Sequence, residues 1–138
     1  MPTAPQFATA GRRIAAYLVD FAVLGPPLLA GIASMDQEGE RLRRGGALAL
    51  LVANLYHVLF EGTTGRTPGK RALGIRVVGA DGGPCSYRAA TLRTLGRFVD
   101  FLPVAYLAAF GSMALTERRQ RLGDLLGGTV VVCGGDGE

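Results

Sequence analysis

The residues best placed to do chemistry are acids and bases set inside long apolar runs. Arg13, Tyr17, Asp20 and Leu24 are spaced 4, 3 and 4 apart, so on a helix they share one face. Asp20 is the only formal charge between Ile14 and Met35. An isolated carboxylate in such a run costs roughly 2.5–3.5 kcal/mol on membrane-insertion scales, so it needs compensation. Arg13 lies about 10 Å away along the axis at ~1.5 Å per residue, too far for direct contact. The sequence therefore predicts a cation from the C-terminal half: Arg93, Arg97 or the Arg118–Arg121 cluster. Two chemistries fit an intramembrane carboxylate of this kind. One is an ion or proton site; the other is a buried ion pair that fixes helix packing.

Three further constellations carry charge. Asn54, His57 and Glu61 fall at i, i+3 and i+7, again on one helical face. They could relay protons through an imidazole beside a carboxylate, or form a polar seam between helices. Arg97-x-x-Asp100-x-x-Pro103 places an ion pair just before a helix break, where unpaired carbonyls can coordinate cations. In the tail, Arg118, Arg119 and Arg121 precede Gly123-Asp124. That cluster suits anionic lipid head groups, or pairing with Asp20, Asp100 and Asp124.

Other classes are argued against by what the sequence lacks. His57 is the single histidine, and Cys85 and Cys133 stand far apart, so no metal-site or CxxC spacing exists. The stretch GTTGRTPGK misses the phosphate-loop pattern because Lys70 is followed by Arg71. No catalytic triad order or cofactor motif is present, and the expectation is a protein that is not an enzyme and needs no cofactor. The net charge of +4 comes from arginines that flank apolar runs, without interleaved aromatics. That pattern is the positive-inside signature rather than a nucleic-acid surface.

The elements that must position these residues follow from the apolar runs. Helix 1 is expected from Gly11 to Met35, kinked or interrupted at Pro26-Pro27. The uncharged run 45–60 gives helix 2, about 24 Å long, enough for a span with Arg44 and Glu61 at the interfaces. Ile75–Val78 reads as a short strand before an Asp-Gly-Gly-Pro turn, and Thr129–Val132 as its natural partner. Between them, 86–116 is amphipathic up to Asp100 and then apolar beyond Pro103. Both flanks of this region are basic, which favours a re-entrant helical hairpin over a single crossing. The expected architecture is thus an all-α membrane protein. It has two transmembrane helices, a Pro-broken hairpin and a small cytoplasmic β pairing, 75–78 with 129–132. Residues 1–10 are expected as a mobile leader, 11–133 as the membrane domain and 134–138 as a tail. Both termini should be cytoplasmic.

Taken as blocks, GRRIAAYLVDFAVLG, TPGKRALGIRVVGADGGPCSYRAATLRTLGRFVDFLP and RRQRLGDLLGGTVVV resemble the RDD family of small bacterial membrane proteins. The resemblance covers about residues 11–133. It implies that the family arginine is Arg13, the first aspartate Asp20 and the second Asp124, with Asp100 as the rival position. It also implies location in the bacterial cytoplasmic membrane and a part in transport, since the family includes a member associated with sodium/proton antiport. A chain this short would then work as a homo-oligomer among membrane lipids, anionic ones included. The alternative is a membrane scaffold whose Arg–Asp network is structural and whose strand layer docks a protein partner.

Overall fold

A computed structural model describes residues 5–35, 39, 41–100, 107 and 111–134. The chain is mostly helical, with two long apolar helices and a two-stranded antiparallel sheet. Helix α1 spans Ala10–Ala33. Thr9 caps it, accepting a bond from the Arg12 amide, which satisfies one of the donors left over at a helix start. Of the expected kink or interruption at Pro26-Pro27, the interruption is absent: α1 runs continuously through both prolines. Proline's fixed φ is compatible with a helix, and what it removes is one amide donor per residue.

A π-helical turn, Arg41–Gly45, leads into α2, Gly46–Thr64. Gly65 ends α2 in the left-handed conformation and returns its N–H to the Glu61 carbonyl. Ala10–Ala33 and Leu42–Thr64 are both long and apolar enough to cross a membrane. Their large apolar side chains point outward, with Leu18 65% and Phe21 72% exposed. Lipid is the solvent that accepts such a surface, so these candidate spans point to a membrane location.

The remaining elements form a compact layer at one end of the spans. Helix α3 is a single short turn, Pro68–Ala72, with Thr67 as its cap and Pro68 opening it. Strand β1 (Ile75–Gly79) pairs with β2 (Thr129–Cys133), in register from Ile75 opposite Cys133 to Gly79 opposite Thr129. This is the pairing expected from the two valine-rich runs. The stretch read as a leader is partly held: Phe7 bridges Val132, and the Ala8 amide donates to the Val131 carbonyl. Helix α4 (Tyr87–Asp100) crosses α5 (Leu122–Gly127) so closely that a Cβ on Gly96 would lie 2.5 Å from the Gly123 Cα. The apolar core is small and sits where this layer packs on α1: Ala8, Ala16, Ile75, Val77, Cys85, Ala90 and Val131. The expected hairpin around Pro103 lies outside the described residues.

Candidate functional site

Three buried carboxylates organise the junction between the spans and the sheet layer. Glu61, at the sheet-layer end of α2, is fully buried. It receives the Lys70 ammonium, Arg93 Nε at 3.1 Å and Arg97 Nη2 at 3.2 Å, with His57 Nδ1 3.7 Å away. The His57–Glu61 spacing of one helical turn makes that last contact automatic. Lys70 arrives from α3, so the cap at Thr67 and the proline at its first turn decide where the ammonium goes.

Asp124 is the second centre. Its position in the first turn of α5 lets one oxygen accept the Arg121 amide at 3.2 Å. The same oxygen takes Arg13 Nη1 at 2.5 Å, and the other takes Arg93 Nη1. Burial by itself pushes the Asp124 carboxyl up, but Arg93, Arg13 and Arg121 outweigh it and hold it at about 2. Arg93 bridges the two centres, with Nε on Glu61 and Nη1 on both Asp124 and Thr129 Oγ1. Burial lowers the Arg93 pKa, yet Asp124 and Glu61 more than reverse that and leave it raised. Burial lowers that of Lys70 below its ordinary value, with Glu61 opposing.

Asp20 is solvated differently. It is 2% exposed, and its oxygens accept from Thr67 Oγ1 at 2.6 Å, the Gly69 amide at 2.8 Å and Tyr56 Oη at 2.9 Å. The expected cation is not there: among the described residues Asp20 makes no ion pair. Arg93 and Arg97 are drawn to Glu61 instead, and Arg121 to the Tyr17 hydroxyl at 3.1 Å. The reason is the close approach of α3 to α1. A Cβ on Gly69 would fall 2.0 Å from the Ala16 carbonyl oxygen, so glycine alone lets hydroxyl and amide donors reach the acid.

A fourth feature joins the same cluster. Two guanidiniums pack over the Tyr17 ring, with Arg97 5.1 Å and Arg121 5.3 Å from its centroid. Beside it is a cavity of about 10 Å³ lined by Tyr17, Arg93, Arg97, Arg121, Gly123 and Asp124. That volume holds one water-sized group.

Of the residues singled out in sequence, Arg13, Arg97, Arg121, Asp124, His57 and Glu61 converge here, and Asp20 sits on the adjoining face of α1. Asn54 is not part of the cluster; its amide bonds back to the Leu50 carbonyl at 2.6 Å. Arg118 reaches the Ala80 carbonyl, and Arg119 contributes its backbone oxygen to Arg13. The side chain of Asp100 lies outside the described residues. Sequence reading missed Lys70, Thr67 and Tyr56 as site residues. The Thr67-Pro68 cap signature could have placed the first two on a helical turn, but nothing local aimed that turn at α1. Among the described residues, no group of three or more His, Cys, Asp or Glu could hold a metal ion.

No curated protein and no solved structure matches the chain. The family model for the RDD family matches residues 7–128, from the strand-bridging Phe7 to the turn before β2. That match spans Arg13, Asp20, Glu61 and Asp124 alike, and the chain belongs to the RDD family.

Proposed function

We propose that this protein is a membrane module that exchanges a small monovalent cation for a proton at Asp20. The reading places it in the bacterial cytoplasmic membrane as an oligomer, with both termini on the cytoplasmic side. One observation carries it: Glu61 and Asp124 are neutralised by cations of the chain, whereas Asp20 is equally buried and has only neutral donors. A buried carboxylate without a counter-charge is costly, and an arriving proton or cation removes that charge. The Tyr56 and Thr67 hydroxyls keep free lone pairs with which to share such a cation. The two candidate spans among the described residues cannot by themselves enclose a path across a bilayer, so the exposed faces of α1 and α2 would meet other copies.

A second reading is a scaffold in which the network is purely structural and the strand layer docks a partner protein. The observation favouring it is that Arg93 ties Glu61 of α2 to Asp124 of α5, a link suited to rigidity. Proton flux driven by a cation gradient in reconstituted vesicles separates the two. Asp20→Asn should abolish that flux; equal flux in variant and parent removes Asp20 from the mechanism. Absence of flux in the parent, with loss of stability in the variant, selects the scaffold.

A further inference from the structure

Charge does not balance in the buried cluster. Among the described residues, Arg13, Lys70, Arg93, Arg97 and Arg121 gather around the carboxylates of Glu61 and Asp124. The surplus is concentrated at the cavity beside Tyr17. There both Asp124 oxygens are already engaged by Arg13, Arg93 and the Arg121 amide. Of the five donors each guanidinium carries, Arg97 spends one on Glu61 and Arg121 one on the Tyr17 hydroxyl. Two guanidinium forks with spare donors, both over the Tyr17 ring and lining a space for one oxygen-sized group, suit a phosphate oxygen.

Depth and surroundings identify the source. Tyr17 stands about two turns into the Ala10–Ala33 candidate span, near the end on which the sheet layer packs. The two helices that carry the forks or support them also expose Leu95, Phe98, Leu125 and Leu126, each roughly half or more exposed. A soluble phosphate has no use for that apolar surface, whereas a phospholipid covers it with acyl chain. We propose that the Arg97–Tyr17–Arg121 cleft binds the phosphate of an anionic phospholipid. This goes beyond cation exchange at Asp20 and does not depend on it. It also moves the lipid contact away from Arg118 and Arg119, which the tail sequence had suggested.

Native mass spectrometry of the full chain in detergent tests it, with phosphatidylglycerol, phosphatidylcholine and inorganic phosphate as separate probes. The parent should retain phosphatidylglycerol in preference to phosphatidylcholine. Arg97→Gln with Arg121→Gln should lower that retention by about tenfold or more, the scale of a lost charge-assisted bond. Arg97→Lys with Arg121→Lys keeps the charge that folding needs while losing the fork, and should also lower it. Arg118→Gln should leave retention as in the parent. Equal retention of the two lipids, or unchanged retention in both double variants, overturns the proposal. So does inorganic phosphate bound in place of phosphatidylglycerol, because it reassigns the cleft to a soluble anion.

Discussion

Arg13 and Asp124 meet at 2.5 Å across 111 residues of chain, the first turn of α1 against the first turn of α5. Both side chains are almost wholly buried. Helix α1 brings no acid of its own to that point, so Arg13 depends on the other end of the sequence, while Asp124 also has Arg121 at the cap of its own helix. Arg93 completes the arrangement from α4 and makes Asp124 the place where three helices converge.

Removing the Asp124 charge therefore leaves Arg13 without its counter-charge and Arg93 with Glu61 alone. Asp124→Asn is expected to destabilise the protein by about 3–5 kcal/mol, the cost of breaking a buried pair from one side. Thermal unfolding of the detergent-solubilised protein measures it. A midpoint equal to the parent's would show that Arg13 and Arg93 are solvated some other way.

The same centre sets an acid limit. The folded-state pKa of Asp124, about 2, lies below the ordinary value of 3.8. A depressed carboxylate contributes stability that is fully present above the unfolded value and is lost as pH falls through the folded one. The midpoint of unfolding should thus decline between pH 4 and pH 2. Asp124→Asn should flatten that decline; an equally steep fall in the variant would assign it to another acid.

Gly69 offers a test that leaves every charge in place. An added Cβ would lie 2.0 Å from the Ala16 carbonyl oxygen and 2.8 Å from Asp20 Cγ, and backbone cannot yield as a side-chain tip can. Gly69→Ala should push α3 away from α1 and cost about 1–3 kcal/mol in stability. Because Lys70 rides on the same turn, the Glu61 centre should loosen with it. Hydrogen exchange at the Gly69 and Lys70 amides would report the shift, and unaltered protection would refute the close approach.

Much of this was legible in the chain before its fold. The two spans follow from apolar length, and the β1–β2 pairing follows from two valine-rich runs of matched size. Arg13, seven residues before Asp20 on the same helix, pairs with Asp124 instead. What sequence could not give was the partition of cations among acids. Arg93 and Arg97 lie 32 and 36 residues from Glu61, and either could have reached Asp20 as far as spacing alone goes. The choice is made by α3, a turn of five residues whose glycine admits it against α1 and whose lysine it then delivers to Glu61. Of the two outcomes expected at Pro26 and Pro27, a kink or an interruption, the interruption does not occur, because the surrounding helix bridges the two missing donors.

The antiparallel pairing of β1 with β2 sets an order of events during synthesis. Ribosomes deliver α1 first, with Arg13 and Asp20 both lacking their eventual partners. Asp20 is served early, once Thr67 and Gly69 emerge. Arg13 must wait for Asp124, more than a hundred residues later, and β2, the strand that follows α5, ends at Cys133. Helix α1 is consequently left half neutralised until α5 emerges, and the Arg13–Asp124 clasp closes only after the chain through Asp124 has left the ribosome.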